Sequence, residues 1–329
     1  MKHRTAAVLI TTALLIGLGG TGEAWGQAKM PRVGILVFGG STTDDVVRHW
    51  FEPFRRTLAD RGWIEGKSVA FEFRSARADP SQLAEVAAEL VRLRVDVLYA
   101  TDAPSVRAAY GATRSIPIVA FDFTSNPVAT GYVESYSHPA RNLTGVFLDA
   151  PEFAGKWLEL LTAVIPGLSR VVVLWDPSPG AAHLQGVQSV ARALRLQLQV
   201  LEVRSSDDIG RAFSAFRGRP QALVILPSPM MYKQSEQLAQ LALKHRLPAT
   251  SMFRLFAEGG GAIAYGPDMA SATESAALLV AKVLNGAKAG ELPVERPTKV
   301  QLIVNLKTTK ALGLVVPDSV LLRADEVIR

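Results

Sequence analysis

Apolar residues along this chain come in short runs that alternate with helically spaced stripes. Arg32-Val33-Gly34-Ile35-Leu36-Val37-Phe38 is almost continuously apolar, the mark of a strand buried on both faces of a parallel sheet. A loop follows, and then Trp50, Phe51, Phe54 and Leu58 recur at helical spacing until Gly62, where a helix should stop. Strands are predicted over 69–73, 95–100 and 116–120. Helices are predicted after Asp79-Pro80-Ser81, with Leu83, Val86, Leu90 and Val91 on one face, and over 103–113. Near residue 150 the pattern starts again. Phe153, Trp157, Leu160 and Val164 stripe a helix that ends at Pro166-Gly167. Strands over 171–175, 198–203, 222–226, 247–251 and 262–265 then alternate with helices near 187–194, 207–216, 238–242 and 269–284. Apolar runs at 300–306 and 320–322 close the chain. Strands alternating with helices of about 10–15 residues imply parallel sheets with right-handed crossovers, and two such series imply two α/β lobes.

In open parallel sheets ligands bind beyond the carboxyl ends of the strands, and a cleft between two lobes is the expected site. Polar and small residues gather at those ends: Gly39-Gly40-Ser41-Thr42, Thr101-Asp102, Asp122, Asp176, Ser228 and Tyr265-Gly266-Pro267-Asp268. Asp102, Asp122 and Asp176 each follow a predicted strand. Each either accepts a hydrogen bond from a ligand amine or caps the turn that follows; for Asp176, which precedes Pro177, capping is the stronger reading. Ser41 and Ser228 face the same choice between a ligand carboxylate and a helix cap. Phe121, Phe123, Phe253 and Tyr265 also sit at strand ends, where they stack on a ligand or fill the lobe core.

At 329 residues the chain suits two domains of about 100–200 residues each, and 48% hydrophobic with 20% charged residues excludes a disordered chain. There is no cysteine, which excludes disulfides, thiolate metal sites, cysteine nucleophiles and a cysteine-linked lipid anchor. The five histidines, His3, His49, His138, His183 and His245, lie far apart, and none has a partner at metal-ligand spacing. No H-E-x-x-H, P-loop or G-x-S-x-G motif is present. Neither a metal nor a cofactor is expected, and the rival reading, a secreted α/β hydrolase, lacks its nucleophile elbow. Lys and Arg are mixed with Asp and Glu on helices, which describes solvated faces rather than a nucleic-acid surface.

The first 28 residues read as an export signal. Lys2 and Arg4 precede an apolar run over 6–18, and small residues at Ala24 and Gly26 suit a cleavage site near residues 26–28. The run is short of the roughly 20 residues that span a bilayer. Losing Lys2, Arg4 and Glu23 takes the net charge from +6 to +5. Gly17-Leu18-Gly19-Gly20-Thr21-Gly22 matches G-x-G-x-x-G, but that motif works only between a strand and a helix, and here it lies in the segment to be removed. A soluble, periplasmic mature protein without stable membrane insertion is expected.

Several ordered segments carry a resemblance. They include Gly62-Trp63-Ile64-Glu65-Gly66-Lys67, Ser115-Ile116-Pro117-Ile118-Val119, Asn126-Pro127-Val128-Ala129-Thr130-Gly131 and Arg141-Asn142-Leu143-Thr144-Gly145. Further on come Lys156-Trp157-Leu158-Glu159-Leu160-Leu161, Ala264-Tyr265-Gly266-Pro267-Asp268, Leu292-Pro293-Val294-Glu295-Arg296-Pro297-Thr298 and Arg323-Ala324-Asp325-Glu326-Val327-Ile328. With these, the mature chain resembles the ABC-transporter substrate-binding proteins of the tryptophan/tyrosine transport type. The resemblance implies a type I periplasmic-binding fold, with two doubly wound lobes joined by a three-strand hinge. It implies lobes of 29–147 plus about 266–290 and of 148–265 plus about 291–329. It also implies a monomer that captures a small solute, an amino acid or related carboxylate, and passes it to a membrane permease; a sensor docking on a membrane receptor is the alternative. Asn126 stands where the family usually has Asp, which leaves a ligand salt bridge there in question. The expected ligand set comprises Gly40, Ser41, Thr42, Thr101, Asp102, Asp122, Phe123, Asn126, Asp176, Ser228, Phe253, Tyr265 and Asp268.

Overall fold

The computed structural model describes residues 30–40, 45–148 and 151–329. The first series runs β1 (Arg32–Val37), α1 (Asp45–Asp60), β2 (Ala70–Ser75), α2 (Leu83–Arg92), β3 (Val97–Ala100), α3 (Ala103–Ala112), β4 (Ile118–Asp122) and β5 (Leu143–Phe147). The second runs α4 (Pro151–Val164), β6 (Arg170–Trp175), α5 (Ala182–Ala193), β7 (Gln197–Glu202), α6 (Ser206–Ser214), β8 (Ala222–Ile225), α7 (Pro229–Lys233), α8 (Ser235–Lys244), β9 (Ala249–Ser251), α9 (Arg254–Glu258) and β10 (Ile263–Pro267). The chain ends with α10 (Met269–Leu284), β11 (Val300–Asn305), α11 (Leu306–Ala311), α12 (Asp318–Leu321) and β12 (Glu326–Ile328).

The first sheet has the order β2-β1-β3-β4-β5 and is parallel throughout. The second has the order β12-β11-β10-β9-β8-β6-β7. Its strands are parallel except at β10–β11, where the chain reverses. Strands β3, β4, β5 and β8 are buried at every position because helices cover both faces. One apolar core cluster runs from Val33, Phe54 and Val119 through Trp157 to Val171 and Val224.

Each sheet has one point where the winding reverses: between β1 and β3 in the first, and between β6 and β8 in the second. Loops leaving adjacent strands there turn to opposite faces and open a crevice. The elements follow the apolar pattern closely, with α10 at the expected bounds. Other features differ, the unforeseen short helices α7, α9 and α11 among them. Strand β5 was not expected from periodicity. The tail strand β11 is antiparallel. Val320 and Leu321 lie in α12, with Leu322 beyond it, and the final strand is β12. The chain also leaves the first sheet later than residue 290. The Glu295 N–H donates to the Gly145 carbonyl at 2.8 Å, and the Phe147 N–H donates to the Glu295 carbonyl at 2.9 Å. Helix α10 follows β10 of the second sheet yet packs on α1 and on β3–β5 of the first. Among the described residues no helix is long and apolar enough to cross a membrane. The signal segment, Ser41 and Thr42 lie outside the described residues.

Candidate functional site

A cavity of about 960 Å³ lies where the carboxyl ends of the two sheets face each other. The first sheet contributes Phe38 and Gly40 after β1, Thr101 and Asp102 after β3, and Asp122 and Phe123 at β4. The second contributes Asp176 and Ser178 after β6, Arg204 and Ser205 after β7, Ser228 after β8 and Phe253 after β9. Both winding reversals therefore open onto one cavity.

Asp102 caps α3: its Oδ1 accepts the Ser105 N–H at 2.8 Å, and its Oδ2 accepts the Phe38 N–H at 3.0 Å, pinning the β1 loop. Thr101 donates to the Leu36 carbonyl at 3.2 Å. Asp122 is 1% exposed. Its Oδ1 accepts the Thr124 N–H and hydroxyl, both at 2.8 Å, and the Ser125 N–H at 3.2 Å. Its Oδ2 is buried and has no partner among the described residues. The choice between cap and ligand contact therefore divides between the two oxygens of one carboxylate: one holds the turn and the other stands unmatched. Burial pushes both carboxyls above the usual range, and the Asp122 charge raises Asp102 further; the Ser125 and Thr124 hydroxyls and N–H groups pull Asp122 back, and the Phe38 and Ser105 N–H groups with the Ser105 hydroxyl pull Asp102 back.

These shifts carry an expected pH dependence. A carboxyl whose folded pKa exceeds its unfolded value holds its proton more tightly when folded. Its stabilising contribution therefore grows as pH falls through the raised value and levels off near the unfolded value of about 3.9. Unliganded protein is expected to gain stability from this pair on mild acidification. In melting curves from pH 7 to 5, the difference between wild type and Asp122→Asn should narrow as the pH falls; a constant difference removes Asp122 from the account.

On the second lobe, Asp176 Oδ1 accepts the Ser178 N–H at 2.9 Å, closing an Asx turn, and Ser228 caps α7 by accepting the Met231 N–H at 3.1 Å. Aromatic rings line both sides. Phe121 and Phe123 lie 4.6 Å apart on the first lobe, and Tyr232 and Phe253 meet edge to face at 5.0 Å on the second. Burial, with the nearby Glu258 charge adding, pushes the Tyr232 hydroxyl up to about 12.

Three expected residues do not line the cavity. Asn126 Oδ1 accepts the Val128 and Ala129 N–H groups at 3.0 and 2.9 Å, as a turn residue does. Asp268 caps α10 through the Ser271 N–H at 3.0 Å and accepts from Gln301 at 2.7 Å. Tyr265 packs its ring on Phe153, and its carbonyl accepts the Trp157 Nε1–H at 2.8 Å. The reason is shared by Tyr265 and Asp268: β10 is the strand on which the chain leaves the second sheet for α10, so its end is spent on the crossover. Conversely, sequence reasoning missed Arg77, Ser178, Arg204, Met230, Tyr232, Lys233 and Met269, all at the wall. Arg77 (φ 51°) and Ala78 (φ 64°) are left-handed residues beyond β2, without a glycine to mark the turn. Tyr232 sits on the unforeseen five-residue α7. Ser178 lies just past the end of β6 at Trp175, and that position is the signal by which it could have been found. Among the described residues no group of three or more His, Asp or Glu is placed to hold a metal ion.

Two doubly wound lobes with a shared cleft at their winding reversals define a type I periplasmic-binding fold. The family model for ABC transporter substrate binding proteins matches residues 42–328, and the chain belongs to that family. It is 26% identical over 265 residues to a tyrosine-binding protein of Clostridioides difficile (strain R20291), covering 79% of this chain and 75% of that one. Among solved structures it resembles an ABC domain in complex with L-Trp from Streptococcus pneumonia, with TM-score 0.80 and 20% identity, covering 91% of this chain and 99% of that one. It also resembles the ligand-free, open structure of a substrate binding protein with adhesive properties from Clostridium difficile. There the TM-score is 0.62 and the identity 22%, over 91% of this chain and 99% of that one. The protein is thus a substrate-binding protein for a small ligand.

Proposed function

We propose that this protein, exported and freed of its signal segment, captures an α-amino acid with an aromatic or bulky apolar side chain. Its two lobes close on the ligand, and the ligand is handed unchanged to a membrane permease. The observation that carries the reading is Asp122 Oδ2, a buried carboxylate oxygen without a partner in the wall of the cleft. An unpartnered buried anion is costly, and an ammonium is the group that relieves it. The aromatic pairs on both lobes suit a flat apolar side chain. The tyrosine-binding relative and the L-Trp complex agree with this choice of ligand. Asp102, Asp122, Phe123 and Phe253 are the contacts proposed from the expected set, and Gly40 supplies backbone at the β1 turn, where its φ of 85° suits glycine.

Calorimetry with L-tryptophan, L-tyrosine, L-leucine and indole-3-propionate tests the proposal. Indole-3-propionate keeps the ring and carboxylate but lacks the ammonium. It is expected to bind about 10- to 100-fold more weakly than L-tryptophan, the loss of one hydrogen bond between charged groups. Equal affinity for the two would remove the ammonium from the recognition. Recovery of L-tryptophan intact after long incubation, read by mass spectrometry, checks that no chemistry is done.

A further inference from the structure

A second unmatched polar atom lies on the opposite wall. The Ser178 hydroxyl oxygen is buried, and among the described residues it has no hydrogen-bond partner. Its backbone is fixed on all sides. The Ser178 N–H donates to Asp176 Oδ1 at 2.9 Å. The Gly180 N–H donates to the Pro177 carbonyl at 3.0 Å, and Trp175 Nε1–H donates to the Gly180 carbonyl at 3.1 Å. Pro177 and Pro179 on either side fix their own φ angles and bring no N–H for the hydroxyl to accept. The turn thus holds one buried hydroxyl just past the end of β6, beside the winding reversal of the second sheet, in a residue that lines the cleft, and offers it nothing local. The other cleft-lining hydroxyls of this lobe are placed differently. Ser205 and Ser206 are exposed to water, the Ser228 oxygen is already engaged as acceptor of the Met231 N–H at 3.1 Å, and the Tyr232 hydroxyl is carried on a ring packed edge to face on Phe253.

We propose that Ser178 is the second lobe's contact with the ligand carboxylate, donating its hydroxyl to the amino acid whose ammonium lies against Asp122 of the first lobe. The inference rests on the amino-acid reading of the cleft and deepens it. An acceptor short of a proton on one wall and a donor short of an acceptor on the other match the two charged ends of one zwitterion. A ligand that satisfies both atoms ties the lobes together, so closure is stabilised only when both ends of the ligand are present. Losing the second-lobe contact then shows mainly in faster release.

The test uses full-length mature protein, L-tryptophan, and tryptamine, which keeps the ring and ammonium but lacks the carboxylate. Ser178→Ala is expected to weaken L-tryptophan about tenfold, through the release rate in stopped-flow fluorescence. Tryptamine, titrated to millimolar concentration, is expected to shift less than twofold, and the unliganded melting temperature to hold or rise, because an unmatched buried hydroxyl is removed. Ser178→Thr keeps the hydroxyl and is expected to hold L-tryptophan better than Ser178→Ala, which guards against a turn damaged by truncation. Unchanged L-tryptophan affinity in Ser178→Ala overturns the assignment and leaves the amino-acid reading standing. Equal losses for both ligands, or for both variants, overturn it as well. If wild type takes up neither ligand, the amino-acid reading falls and this assignment falls with it.

Discussion

Asp122→Asn is expected to weaken L-tryptophan by about 10- to 100-fold and, at pH 7, to raise the melting temperature of the unliganded protein. The two effects have opposite signs because the carboxylate serves the complex at the expense of the empty protein. Asn keeps an Oδ1 acceptor for the Thr124 and Ser125 N–H groups, so the turn after β4 survives. What changes is the charge and Oδ2, the oxygen that has no partner. Without ligand, burial disfavours charge on that carboxyl, and a neutral amide carries none of that cost. With ligand, the ammonium loses its counter-charge. Calorimetry and melting curves on the same variant read both terms. A lowered melting temperature with unchanged affinity would assign Asp122 to the turn alone.

Gly145→Ala is expected to abolish the native fold or leave it too unstable to purify. A Cβ on Gly145 would lie 2.1 Å from the Ala120 carbonyl oxygen and 2.6 Å from the Ala120 nitrogen. Both are backbone atoms of the neighbouring strand, paired in register, so neither can swing aside as a side-chain tip does. The φ of 154° adds strain for any residue with a side chain. Relief requires β5 to part from β4, which also breaks its bonds to Glu295. The cost exceeds the roughly 1–3 kcal/mol of ordinary overpacking, since the obstacle is main chain. Circular dichroism and limited proteolysis give the answer. A soluble variant melting within a few degrees of wild type refutes the geometry.

The same glycine explains part of what the sequence concealed. Leu143-Thr144-Gly145-Val146-Phe147 is buried throughout, but Thr and Gly interrupt the apolar run that marks such strands. The other first-sheet strands read clearly because their runs are bounded by polar strand ends. Those ends also led to Asp102 and Asp122, since carboxyl ends of parallel strands share an edge. Tyr265 and Asp268 failed the same rule because it names an edge, not the strand on which the chain departs. Tyr232 escaped because a five-residue helix is too short for a period to show. The antiparallel β11 was hidden because strand direction is set by pairing, not by local residues. Asp122 was legible as a site residue, but its division into one capping and one unmatched oxygen needed coordinates.

Helix α10 has a consequence for the order of events in folding. It covers β3–β5 of the first sheet and packs on α1, yet the whole second series up to β10 precedes it in the chain. A ribosome making this protein releases the five strands of the first sheet long before the helix that shields them. Until residue 284 emerges, that face is covered only where α1 lies, and the apolar positions that α10 will cover on β3–β5 cannot be withdrawn from water. The segment around Glu295 that borders β5 arrives later still. The first lobe is therefore completed only near the end of synthesis, shortly before β11 and β12 finish the second, and a nascent chain stays unfinished at its front end for most of its synthesis.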